Sequence, residues 1–240
     1  MKEYTIKELL SKTTYPGRGI IFGRSPIGQL AYIGYFIMGR SVNSRNRVFV
    51  PQGDGSVITR AFDESKMSDP SLIIYAPVRV PSQGVYVVTN GDQTDTVCDF
   101  LKEGKTFEDA LETRTFEPDA PNFTPRISGI LLAGEGKMSC KMAILKAGDA
   151  EGKTTERIYW NYDAPENGVG RFLHTYMGDG NPLPSFEGEP EKLKMPESIE
   201  TFTRDIWDSL DEDNKISLYT ACIELDTGKI REVSILNKNV

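Results

Sequence analysis

The sequence predicts an α+β fold in which two packed β-sheets carry helices on their outer faces, a four-layer α/β/β/α sandwich. Segments 20–23 and 30–38 are apolar on both faces and rich in β-branched and aromatic residues, the pattern of strands covered on both sides. Many further strand-like segments follow, whereas sustained helical periodicity is confined to two separated blocks. Strands and helices do not alternate regularly, which argues against a doubly wound parallel sheet. With 240 residues, 38% of them hydrophobic, the chain can bury a substantial core. No internal repeat or low-complexity linker divides it, so residues 1–240 are expected to form one domain.

Residues 2–12 place Ile6, Leu9 and Leu10 at helical spacing, and Tyr15-Pro16-Gly17-Arg18-Gly19 must end any helix. The strands at 20–23 and 30–38 come next. Further strands are expected at 48–50, 56–62, 72–75 and 85–89, separated by turn signals such as Asp54-Gly55 and Pro81-Ser82. Asn90 to Asp95 opens an amphipathic helix with Val97, Phe100 and Leu101 on one face, closed by Gly104. Thr106, with Asp109 three residues on, caps a second helix carrying Phe107, Ala110 and Leu111. Residues 116–126 contain three prolines and read as an ordered loop. Strands resume at 127–133, 139–146 and 157–162, and residues 171–176 lead into a turn-rich stretch at 178–184. Residues 188–196 read as a connector. Ile199, Phe202, Ile206 and Leu210 give residues 198–210 the clearest helical face in the chain. Residues 216–225 and 230–236 form a hairpin around Asp226-Thr227-Gly228.

The net charge of -7 excludes a nucleic-acid coat, which would need a basic stripe over the whole domain. Locally the balance is reversed. Residues 9–53 contain no Asp or Glu, although 35 of the 240 residues are acidic, and they carry Arg18, Arg24, Arg40, Arg45 and Arg47. The stretch Gly39-Arg40-Ser41-Val42-Asn43-Ser44-Arg45-Asn46-Arg47 sets three arginines among small polar residues. Anion binding explains this better than scattered surface ion pairs, because guanidinium offers paired donors to phosphate or carboxylate at any physiological pH.

The three cysteines are far apart, with no C-x-x-C and no neighbouring histidine, and read as buried thiols rather than a zinc or disulfide framework. No run approaches the roughly 18 apolar residues of a membrane span, and residues 1–10 lack an apolar core, so a soluble cytoplasmic protein is expected. There is no G-x-S-x-G elbow, phosphate-binding G-x-x-x-x-G-K-[ST] loop or H-E-x-x-H helix, and His174 is the only histidine. Read locally, Asn90 to Asp95 is a turn and helix cap, Glu117 and Asp119 are solvated loop acids, and Tyr75 is core or rim.

Four stretches together change that local reading. They are Tyr15-Pro16-Gly17-Arg18-Gly19 with the later 39–49 run, Asn90-Gly91-Asp92-Gln93-Thr94-Asp95, residues 117–129 including Thr124-Pro125-Arg126-Ile127-Ser128-Gly129, and residues 173–186. In this combination the chain resembles the archaeal-type IMP cyclohydrolase family, over most of residues 15–190. The resemblance implies an Ntn-hydrolase-like fold used without self-processing, with residues 1–14 as an N-terminal extension. It implies cyclodehydration of 5-formamidoimidazole-4-carboxamide ribonucleotide to IMP in purine biosynthesis, with a purine-precursor nucleotide as small-molecule partner, no organic cofactor, no metal, and a homo-oligomeric state. The family's functional arginine, tyrosine and glutamate correspond to Arg45 or Arg47, Tyr75 and Glu117. The same resemblance implies that Arg18, Arg40, Ser41, Asn46, Asn90, Asp92, Thr94 and Arg126 bind substrate. The arginines would grip phosphate or polarise the carboxamide, and Glu117 with Tyr75 would move protons. The competing class is a non-catalytic purine-nucleotide-binding or regulatory protein with the same phosphate pocket.

Overall fold

The computed structural model describes residues 3–240. In chain order its elements are α1 (Ile6–Leu10), β1 (Arg18–Arg24), β2 (Leu30–Met38), α2 (Val42–Arg45), β3 (Arg47–Pro51), β4 (Val57–Ala61), β5 (Val78–Ser82), β6 (Val85–Thr89), α3 (Gln93–Lys102), α4 (Phe107–Glu112), β7 (Arg126–Gly134), β8 (Lys137–Ala147), β9 (Thr155–Tyr162), β10 (Val169–His174), β11 (Glu191–Lys194), α5 (Ile199–Ser209), β12 (Lys215–Glu224) and β13 (Ile230–Asn237). The architecture is α+β, with two antiparallel sheets packed face to face. One sheet has the order β11-β10-β1-β2-β12-β13, and the other runs β3-β4-β5-β6-β7-β8-β9 in simple sequence order.

Alternation along each strand decides which layer a side chain enters. Ile20 and Phe22 of β1, Ile33, Tyr35 and Ile37 of β2, and Ile127 and Leu131 of β7 meet in the cluster between the sheets. Their neighbours Ile21, Tyr32 and Phe36 point the other way, onto Phe202 and Ile206 of α5 and Leu9 of α1. On the far face of the second sheet, Val87, Ile130 and Ala143 receive Val97 of α3 and Phe107 and Leu111 of α4. The strands apolar on both faces are therefore those covered twice. The three cysteines are buried and free. Among the described residues no helix is long and apolar enough to cross a membrane.

Several local expectations are corrected. The apolar run at 72–75 is a turn, because Pro70 offers its carbonyl to the amides of Ile73 and Ile74 at 3.1 and 2.9 Å. The strand begins later, at Val78. The arginine stretch is not all loop: Ser41 and Ser44 form a reciprocal cap that winds residues 42–45 into one helical turn. The expected connector at 188–196 contains β11, which pairs with β10. The first helix spans only Ile6–Leu10, set by the Thr5/Glu8 capping box; residues 1 and 2 of the expected helix and extension lie outside the described residues. Asp92 occupies the N-cap position of α3 but makes no capping bond.

Candidate active site

Strand alternation puts Arg18 on the face of Ile20 and Phe22, and Arg47 on the face of Phe49. At one end of the sandwich the inner faces thus exchange apolar side chains for two guanidinium groups, one from each sheet. A cavity of about 320 Å³ opens there, lined by Tyr15, Arg18, Arg40, Glu117, Thr124 and Tyr176 among others. That volume lies within the usual range for small-molecule sites. A roomier cleft of about 460 Å³ beside Phe107 and Ile130 is mainly apolar, carries Lys102 and Lys141, and has no carboxyl in its lining.

The turn before β1 explains its sequence. Gly17 has φ of 80°, and a Cβ on it would lie 2.2 Å from Thr175 Oγ1 and 2.6 Å from the Tyr176 ring. Only glycine allows this approach in that conformation. The Thr175 hydroxyl accepts the Arg18 amide at 3.1 Å and donates to the Pro16 carbonyl at 3.1 Å, fixing where Arg18 enters the sheet.

Glu117 arrives from the proline-rich loop. Its amide donates to the Thr124 carbonyl at 2.9 Å, and the Asp119 carboxylate accepts the Thr124 amide at 2.6 Å, folding the loop back on itself. Asn90 ties down the loop's end by donating to the Pro125 carbonyl and accepting the Ile127 amide, both at 2.8 Å. The Glu117 side chain is almost wholly buried, 4.0 Å from the Arg18 guanidinium. Burial pushes its carboxyl up to about 7, against the pull of Arg18, Arg126 and Arg47 and with Asp119 adding to the rise.

Arg47 is 0% exposed. Its Nε donates to the Ser44 carbonyl at 2.7 Å and one terminal nitrogen reaches the Met38 carbonyl at 3.4 Å. The other terminal nitrogen, and Nε of Arg18, have no hydrogen-bond partner among the described residues. Burial lowers the pKa of Arg47, and Arg18 adds to the shift. For Arg18 burial acts in the same sense, but Glu117 and the hydroxyls of Tyr176, Tyr75 and Tyr15 outweigh it and hold the pKa above its ordinary value. Tyr75, 8% exposed, shares a 2.8 Å hydroxyl contact with Tyr35 beside both arginines. Arg18 and Glu117 line the cavity, whereas Arg47 and Tyr75 lie behind that lining. A desolvated guanidinium beside a carboxyl raised to about 7, with the Arg47 charge behind them, can hold an anion and exchange a proton with it.

The other expected site residues divide by position. Arg40 and Ser41 line the mouth, where Arg40 donates to Asp179 at 2.5 Å and to the Gly180 carbonyl at 3.0 Å, with its guanidinium over the Tyr15 ring. Arg45 turns away to the Gly39 carbonyl and Asn214. Asn46 exchanges two bonds with the Asp63 backbone. Thr94 is buried against Thr89 and the Gly91 carbonyl. Asp92 pairs with Arg114 and Arg126, which outweigh its partial burial and lower its pKa. Arg126 also donates to Gln93 at 2.6 Å, behind Glu117 rather than in the cavity lining. Tyr15, Thr124 and Tyr176 line the cavity without having been singled out as site residues. His174 is buried between Phe172 and Phe186, with its ring nitrogens on the Tyr176 carbonyl and Glu191. Among the described residues no three His, Cys, Asp or Glu side chains are grouped to hold a metal.

A family model described as IMP cyclohydrolase-like protein matches residues 15–228. This chain belongs to that family. Among its relatives, an IMP cyclohydrolase of Methanopyrus kandleri is 30% identical over 175 residues, covering 71% of this chain and 79% of that protein. The IMP cyclohydrolases of Methanococcus maripaludis and Methanosphaera stadtmanae are 30% and 33% identical over 128 and 127 residues, covering 61% and 60% of their lengths and about half of this chain. The IMP cyclohydrolase-like match begins at Tyr15, where the site begins, and ends at Gly228, within the turn between β12 and β13. It therefore includes every residue that lines the cavity.

Proposed function

We propose that this chain is an IMP cyclohydrolase, closing the second purine ring by cyclodehydration of 5-formamidoimidazole-4-carboxamide ribonucleotide to IMP. The observation that carries the reading is Glu117, a buried carboxyl with a pKa near 7 in a cavity walled by arginines. A non-catalytic nucleotide binder would use the arginines but has no need of such a group.

The carboxamide nitrogen attacks the formyl carbon of the same molecule. Neutral amides are poor nucleophiles, so the site must hold the two groups in contact, stabilise the developing oxyanion and move protons. Arg18 and Arg47, already stripped of water, supply positive charge without reorganisation. Arg40 and Ser41 at the mouth bind the outer part of the nucleotide. Glu117 protonates the formyl oxygen and, once ionised, accepts a proton during loss of water. Tyr75 sits beside both arginines, hydrogen-bonded to Tyr35, and completes the catalytic group. Asn90, Asp92, Thr94 and Arg126 contribute through the turn and loop that carry Glu117.

Under the same reading the sandwich is of the Ntn-hydrolase-like kind, with residues 1–240 as one domain in a cytoplasmic homo-oligomer. That fold is used here without self-processing on the same reading, since Tyr15-Pro16-Gly17-Arg18, which leads into β1, offers no Cys, Ser or Thr as a terminal nucleophile. The test is to mix purified protein with the formamido ribonucleotide and follow IMP by absorbance. Ring closure at an enzymatic rate is expected; binding without turnover would refute catalysis.

A further inference from the structure

Tyr176, Thr124 and Asp119 form a hydrogen-bonded chain along the wall of the cavity, which all three line. Both Asp119 oxygens accept from Thr124, Oδ1 from its amide at 2.6 Å and Oδ2 from its hydroxyl at 2.5 Å. Thr124 Oγ1 is also 2.5 Å from the Tyr176 hydroxyl. A threonine hydroxyl has one proton, and here it is given to the carboxylate, so Tyr176 must be the donor in the second contact. The Tyr176 proton is therefore committed to Thr124 along the wall, leaving the rest of its oxygen as an acceptor beside Arg18. Tyr176 is 1% exposed, whereas Asp119 is partly open to solvent. Its ring is held by stacking on Tyr15 and by the close passage of Gly17.

We infer that Tyr176 is a further catalytic residue, which accepts the N–H of the substrate carboxamide, and that Thr124 and Asp119 are positioning residues that draw this proton along the wall to the Asp119 carboxylate. The inference rests on the cyclohydrolase reading. In the ring-closing step the nitrogen lone pair forms the bond to the formyl carbon, the carbonyl π pair moves to oxygen, and that oxygen takes the Glu117 proton. The N–H proton passes to Tyr176, the Tyr176 proton to Thr124, and the Thr124 proton to Asp119. Glu117 has lost one proton and Asp119 has gained one. Loss of water needs one proton onto the hydroxyl and one off the ring nitrogen, which returns each carboxyl to its starting state.

Asp119→Asn tests the polarity with little change of shape. The Thr124 amide still requires an acceptor, so the new amide nitrogen must sit where Oδ2 was, and it donates to Thr124. Both hydroxyl protons then turn round, and Tyr176 presents a donor to the cavity. D119N, T124V and Y176F are each expected to lower kcat by about 100-fold, with KM changed far less. T124S, which keeps the hydroxyl, recovers most of the rate. Thermal melting checks that each variant is folded. If wild type turns over and the folded D119N and T124V variants stay within about threefold of it, or T124S is as poor as T124V, the relay is wrong while the cyclohydrolase reading stands. Absence of turnover by wild type overturns both.

Discussion

Replacing Glu117 by Gln should make the protein more stable and inactive at once, and the stability gain should depend on pH. In the folded chain burial raises the carboxyl from 4.5 to about 7. A group whose folded pKa is raised holds its proton more tightly when folded, so stability falls as pH rises from 4.5 through 7. Below that window Glu117 is protonated in both states, and glutamine is a close mimic of it. Above the window the folded chain must bury the ionised form. At about 1.4 kcal/mol per pH decade, the full cost is about 3 kcal/mol. For a protein of this size that corresponds to roughly 6–12 °C of melting temperature. Calorimetric melts of wild type and E117Q should therefore coincide near pH 4.5 and separate by about that amount at pH 8, with E117Q the higher. Cyclisation by E117Q should fall by at least about 100-fold throughout. A difference between the two melts that is the same at both pH values would refute the reasoning, since the carboxyl would then titrate alike in folded and unfolded chains. A variant destabilised only at pH 8 would refute it too, and would mean that ionised Glu117 strengthens the fold through Arg18.

Arg47→Met should lose nucleotide affinity by at least about 100-fold while melting at or above wild type, because a buried guanidinium without an acidic partner is replaced by an apolar side chain; isothermal titration with IMP and a thermal melt decide it. IMP at 100 times its dissociation constant should stabilise wild type by about 2.7 kcal/mol, and R47M should show little of this at the same concentration. Gly17→Ala should cost about 2–4 kcal/mol in urea unfolding, through its positive φ and the clash with Thr175 and Tyr176. Asp179→Ala breaks an ion pair at the mouth whose partners are both substantially exposed, so its unfolding free energy should stay within about 1 kcal/mol of wild type.

Much of this was legible in the residues. The two-sided apolar segments led to the twice-covered strands, and the acid-free window led to Arg18 and Arg40 at the cavity. The failures have local causes. Leu72-Ile73-Ile74-Tyr75 looks like a strand by composition, but Pro70 imposes a turn, while the true strand was obscured by its own Pro81. The helical turn at Val42–Arg45 depends on a serine, not Glu or Gln, closing the capping box. Arg45 and Arg47 were indistinguishable by charge. The spacing of Arg47 from Phe49, equal to that of Arg18 from Ile20, was the available signal for which one faces inward. Residues 173–186 belong to the family resemblance, but nothing singles out Tyr176 among them, because its partners lie in a distant loop and its polarity is set by Asp119.

The strand order also constrains how the chain can assemble. The second sheet is a meander of consecutive strands, and its pairings need only residues between 47 and 162. The first sheet is different: the β1–β2 hairpin is made first, but its two flanks wait for β10 and β12. During synthesis this apolar hairpin therefore has two open edges while more than a hundred residues are added, the condition under which unpaired strands associate wrongly. Because β12 seals one flank, a ribosome that stalls after β9 would release a complete meander beside an unfinished sheet. Chaperone dependence and aggregation in cells should accordingly track the arrival of residues 169–224 more closely than the stability of the finished fold.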